Sequence, residues 1–346
     1  MFSYDTISTF PDLLKSIHKR ITDSITQGLS LAEIKSVSIG ADEFSTRYPY
    51  LTAVPLSEKI LRVYTNDFAD VERTVTFSIR TLKSNSNASF GQANGLMNSL
   101  KNLFKRQSHS ELWQLKVLNS NFPIVFNSKV SEIKFLDFVS TTEGVISEAT
   151  MNTSYSCQIR TNAIKCLPSE NLGETNLKET TKIIHEILTR YKNTLFSEVK
   201  TIKYGSVEPV SYYPAIVVTP VNADINSRFR GSDSYDAQYN VNVYTDFMNT
   251  PNSIYNNLNI VHKVRDVLFA NRFIFNRCFD YDLDDIIIGT TMLEDVGYFT
   301  SQLVVNLSSF ESLIKYPYEL SVVKSDFITQ EGDVVITDDG DIFEGQ

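Results

Sequence analysis

The chain has 346 residues, 21% of them charged and 12% aromatic, with a formal net charge of −9. That length exceeds what one core comfortably fills and predicts two domains. An acidic balance without a block of Lys or Arg argues against a dedicated nucleic-acid binder, because such affinity comes mainly from neutralised phosphates.

The first predicted element is an amphipathic helix over Thr9–Leu29, with Thr9 as cap, Asp12 three residues on and Pro11 in the first turn. Leu14, Ile17, Ile21 and Ile25 form its apolar stripe. A strand is expected at Ile34–Ile39, a turn at Gly40, and a second strand at Tyr50–Val54, which Pro55 ends. The polar stretch Ser57–Asp70 reads as a hairpin tip. Val75, Phe77 and Ile79 then alternate with Thr and Ser in a half-buried strand. Residues Lys83–Gly95 read as a Ser/Asn/Gly-rich loop, ahead of a helix carrying Leu96, Leu100, Leu103 and Phe104. Strands are expected at Trp113–Leu118 and Val130–Val139, and around Tyr155, Cys157 and Ile159.

The segment 166–175 is rich in Pro, Gly, Ser and Asn and reads as a linker. Asn176 and Glu179 then suit the start of a helix carrying Ile183, Ile184, Ile187 and Leu188. Strands are expected at Val199–Tyr204 and Ala215–Thr219, a polar tip at Asn222–Asp236, and a returning strand with Tyr239, Val241 and Val243. A helix opened by Pro251 turns Ile254, Leu258, Val261, Val264 and Leu268 inward, and two strands follow at Asp285–Gly289 and Ser301–Leu307. Within the extension 316–346, Asp326–Gln346 is acidic and reads as one hairpin turning at Asp338-Asp339-Gly340.

One phrase occurs twice. A shift of 165 positions carries Gly40 onto Gly205, Tyr48 onto Tyr213, Pro49 onto Pro214 and Pro55 onto Pro220 without a gap. Such an internal repeat takes precedence over local readings. It predicts an α+β chain of two tandem domains, at 1–165 and 176–315, each a mainly antiparallel sheet flanked by two helices, with an extension at 316–346. Gly40 and Gly205 suit a turn with positive φ, and the prolines suit strand ends. The motif has the residue types of a scaffold rather than of a reacting constellation.

His18, His109, His185 and His262 have no second metal ligand at helical spacing and read as surface or helix-flank residues. The run Asp280–Asp285 has the oxygen ligands for Ca²⁺ or Mg²⁺ but not the EF-hand spacing, and reads as a solvated loop. Three cysteines, Cys157, Cys166 and Cys278, lack metal or redox spacing and fit a reducing compartment. Neither a secretory signal nor a membrane-spanning segment is expected. No catalytic, cofactor-binding or metal residue is assigned, and the chain is expected not to be an enzyme.

The order of leading helix, GSVEPVSYYPAIVVTPV, long polar hairpin, YNVNVYTD strand and second helix resembles the tail terminator proteins of tailed bacteriophages and their head–tail joining relatives. The phrase from Tyr213 to Pro220 carries most of the likeness, over Asn176–Phe310 and more faintly Thr9–Arg160. The resemblance implies a structural virion protein, assembled in the host cytoplasm, that forms a ring of six chains. Such a ring caps the tail tube, contacts tube or sheath protein, joins the head connector, and passes DNA through an acidic lumen without sequence-specific binding. Its projecting hairpins touch neighbouring subunits. Here their tips carry Arg228, Phe229, Arg230 and Tyr235, with Arg62 and Tyr64 in the first copy, and Arg and aromatic residues are enriched at interfaces. Two copies per chain depart from the family pattern and leave six or twelve chains open. The alternatives are a twelve-fold adaptor on the portal of a short-tailed virion and a metal-dependent enzyme using Asp280–Asp285.

Overall fold

The computed structural model describes residues 9–40, 47–63, 68–104, 125–160, 177–205, 212–229, 232–246, 252–271, 278–293, 296–312, 335–336 and 342–343. The first half of the chain contributes α1 (Phe10–Thr26), β1 (Ser36–Ile39), β2 (Tyr50–Val63), β3 (Phe68–Lys83), α2 (Ser86–Phe104), β4 (Val125–Thr141) and β5 (Gly144–Arg160). The second half contributes α3 (Leu177–Arg190), β6 (Thr201–Tyr204), β7 (Ala215–Phe229), β8 (Ser232–Asp246), α4 (Asn252–Ala270), β9 (Cys278–Leu293) and β10 (Val296–Ser312).

Local chemistry sets the helix starts. The Thr9 hydroxyl accepts from the Asp12 N–H at 3.3 Å, while the Asp12 carboxylate accepts from the Thr9 N–H at 3.0 Å. This reciprocal box satisfies two donors that α1 would otherwise leave orphaned. The expected loop at Lys83–Gly95 is instead mostly helix. The Asn85 side-chain oxygen accepts from the Ala88 N–H at 2.8 Å, and α2 starts at Ser86. Composition pointed to a loop there, and capping plus burial of Ser89, Ala93 and Leu96 overrode it.

The strands run longer than their apolar stretches. β2 and β7 do not end at Pro55 and Pro220. Each continues past a register shift, between Pro55 and Ser57 and between Pro220 and Asn222, and a second follows at Ile60/Arg62 and at Ile225/Ser227. A bulge lets the ladder pass a residue that cannot donate, so each proline interrupts its strand without stopping it. The stretches read as polar hairpin tips are therefore largely paired strand. The run Asp280–Asp285 lies within β9, not in a loop.

Ten strands form one mixed, mostly antiparallel sheet in the order β4-β5-β3-β2-β9-β10-β8-β7-β6, with β1 parallel to β2 beside that path. The chain is α+β, with four helices among the described residues. Strand order in the first half, β1-β2-β3-β5-β4, recurs in the second as β6-β7-β8-β10-β9, parallel only at β1·β2 and β6·β7. Alternate strand residues, among them Phe77, Met151, Val241 and Leu303, meet Leu13, Leu14, Leu100, Leu188 and Leu258 of the helices in one continuous core. That core spans both halves. Apart from it, Val335–Ile336 pairs antiparallel with Ile342–Phe343. Trp113–Leu118 and the linker lie outside the described residues.

Candidate functional site

The repeated phrase builds the same structure twice. Gly40 and Gly205 have φ of 103° and 106°, and the Tyr48–Pro49 and Tyr213–Pro214 bonds are both cis. The Lys35 N–H donates to the Pro49 carbonyl at 2.8 Å, as the Lys200 N–H does to the Pro214 carbonyl at 2.8 Å. The Gly40 N–H reaches the Ala53 carbonyl at 2.9 Å and the Gly205 N–H the Val218 carbonyl at 2.9 Å. Each phrase thus ties its short parallel strand to the base of its long hairpin.

The two halves meet along a seam where β9 of the second half pairs with β2 of the first, Ser57 opposite Ile287 and Glu58 opposite Ile286. The helix layer crosses the same seam. Gly40 lies so close to Ile254 of α4 that an added Cβ would come within 2.9 Å of its Cγ2. The Lys15 ammonium of α1 sits 5.3 Å from the Tyr255 ring centroid, and Lys59 lies 3.8 Å from Asp285.

At the centre of the seam is a buried charge cluster. The Glu58 carboxylate accepts from the Arg73 Nε at 2.6 Å and from Arg265, and His262 Nε2 lies 3.3 Å away. Arg73 belongs to the first half, whereas Arg265 and His262 come from α4 in the second. Arg265 also donates to Asp266 at 3.0 Å. Burial alone would raise the Glu58 pKa, but His262, Arg73 and Arg265 outweigh it and hold the carboxyl well below its ordinary range. The cluster clamps the two halves electrostatically. His262, which reads from the sequence as a surface or helix-flank residue, is buried here on α4.

The hairpin-tip residues are placed unevenly. Arg62 is exposed near the end of β2, opposite Asp70. Arg228 and Phe229 close β7 opposite Asp233 and Ser232, and Tyr235 pairs with Ile225 and Ser309. Tyr64 and Arg230 lie outside the described residues. The paired placements put Arg62 and Arg228 toward the far ends of their hairpins, and the structure does not bring these residues together with the seam.

Among the described residues, no group of three His, Cys, Asp or Glu side chains is placed to hold a metal ion. Cys157 is buried in β5, and burial pushes its thiol up to about 11, which leaves it inert at neutral pH. No described helix is long and apolar enough to cross a membrane. What the seam offers is a way of joining sheets. No protein-family model matches the chain, and no curated protein matches it with significance.

Proposed function

We propose that the chain is a tandem duplication of one tail-terminator-like module and acts as a non-enzymatic ring at the tail end or neck of a phage particle. The ring caps the tail tube, meets the head connector, and leaves a channel for DNA. The observation that carries the reading is the doubled order of helix, short parallel strand, Gly-turn and Tyr-Pro phrase, long bulged hairpin, helix and second hairpin. Both halves follow it with the same pairings.

Three features support a role in assembly. The sheet ends on β4, which has a strand neighbour on one side only among the described residues. Large apolar side chains stand exposed on that strand at Phe135, Leu136 and Val139, and exposed apolar groups on an open edge favour association. A net charge of −9 suits a lumen through which DNA slides without sticking. The far ends of the hairpins, with Arg62, Arg228 and Phe229, are the surfaces for tube, sheath or connector proteins.

An antibody raised against the chain tests the assignment on particles made by a phage that encodes it. Labelling is expected at one end of the tail or at the neck in negative-stain micrographs. Purified, intact particles that lack the chain by immunoblot contradict it.

A further inference from the structure

Among the described residues, the seam inside the chain has a counterpart that no strand fills. β2 uses its outer edge twice, for β1 at Ser36–Ile39 and then for β9 at Ser57 and Glu58. β7 uses its outer edge for β6 at Thr201–Tyr204. Asn222 and Ala223, which the 165-position shift places over Ser57 and Glu58, are exposed. On the other partner, the bulge pairing of Ile133 with Met151 and Val130 with Thr153 matches that of Ile286 with Leu303 and Leu283 with Val305. β4 is thus the counterpart of β9, with Lys134 over Ile287 and Ile133 over Ile286.

Burial tracks this correspondence. Ile288 of β9 is 5% exposed, whereas its counterpart Phe135 of β4 is 42% exposed. On the helices, Thr81 bonds the Ser89 carbonyl as Thr245 bonds that of Ser253, which places Phe90 over Ile254. Ile254 is 1% exposed against Gly40, and Phe90 is 37% exposed with its ring 5.0 Å from that of Phe135. The missing partner surface has matching space, because an added Cβ at Gly205 would meet nothing within 4 Å. Tyr204 next to it is 48% exposed, against 3% for Ile39. Glu58, Ile288, Ile254 and Ile39 are covered in the first half or at the seam, and their counterparts Ala223, Phe135, Phe90 and Tyr204 are open.

We infer that β7 of one chain pairs antiparallel with β4 of a second copy, Asn222 opposite Lys134 and Ala223 opposite Ile133, repeating between chains the seam that joins the halves within one. Phe90 and Phe135 of the second copy then cover Gly205 and Tyr204 of the first. The contact is head-to-tail, so it generates a ring when the rotation closes. It rests on the proposed function for closure but not for the pairing. Three chains would set six modules around the axis and six chains twelve.

The joint between chains differs from the seam in its charges. Glu58, Arg73, His262 and Arg265 are replaced at their counterparts by Ala223, Ala237, Asn98 and Lys101, so the buried cluster is not repeated. Lys59 and Asp285 are replaced by Asp224 and Glu132, of like sign. Lys134, which already pairs with Glu132 at 3.1 Å, is then diagonal to Asp224. The fixed joint is thus the charged one, and the joint between copies relies on strand pairing and aromatic cover.

Cysteine pairs read the register directly. The full chain carrying both Asn222→Cys and Lys134→Cys is compared with one carrying Asn222→Cys and Lys129→Cys, which lies about 16 Å further along the strand. Oxidised glutathione serves as oxidant, and native mass spectrometry of the unmodified chain runs alongside. The first variant is expected to form disulfide-linked multimers of several chains at least ten times faster than the second and than the parent chain. Oligomers of the parent without faster cross-linking of the first variant overturn this joint and leave the ring reading intact. A parent that stays monomeric at all concentrations, with no cross-links, overturns both.

Discussion

Glu58→Gln is expected to lower stability by roughly 3–5 kcal/mol, the cost of removing one partner from a buried ionic group and leaving its counter-charges uncompensated. Arg73 and Arg265 are both buried around this carboxylate. An amide of the same shape keeps one acceptor but removes the charge both guanidiniums face. Urea denaturation at neutral pH should show the fall in the midpoint. Acid gives the same result by another route. The Glu58 pKa is depressed in the folded chain, so its contribution is full above its unfolded value of about 4.3. It is lost as pH drops through the folded value. The parent chain should therefore lose stability steeply below about pH 4.3, and Glu58→Gln should flatten that slope. A variant as stable as the parent, with an unchanged acid limb, contradicts the clamp.

Gly40→Ala and Gly205→Ala should separate backbone strain from packing at the seam. Both glycines sit at positive φ, where a side chain costs on the order of 1–3 kcal/mol. Only at Gly40 does the new methyl meet a neighbour, Ile254 Cγ2 at 2.9 Å. Overpacking of that kind adds about 1–3 kcal/mol. Gly40→Ala is thus expected to be the more destabilising by that margin in thermal or urea unfolding of the monomeric chain. Equal losses would mean that α4 is not seated on the first half as described.

The repeat was the most legible feature, because its invariants are residues with backbone duties. Glycine at positive φ, proline after tyrosine and proline beside a bulge leave the same letters wherever the same turn is built. The helices were legible from their apolar stripes, as were the inward residues Phe77, Ile79, Tyr239, Val241 and Val243. Strand length was not. Outer hairpin positions such as Ser57, Glu58 and Asn222 face solvent or the seam and carry no period-two apolar signal. The composition of Ser86–Gly95 masked a capped helix.

The seam is illegible in the sequence for a different reason. β2 and β9 are far apart in sequence and pair in register at only two positions, which no local pattern announces. One signal was present. Arg73 occupies the same parity as Val71, Val75, Phe77 and Ile79, all of them buried. A charged residue on the inward side of a strand requires a buried partner. That alone called for a carboxylate nearby, although not for Glu58 in particular. Nor could spacing show that the two halves share one sheet.

Image averages of the purified chain, with the mass of the assembly measured in parallel, test the central claim most directly. The account predicts closed rings in which the number of equal modules around the axis is twice the number of chains. A chain that remains single at high concentration, or that grows into open filaments, would contradict it.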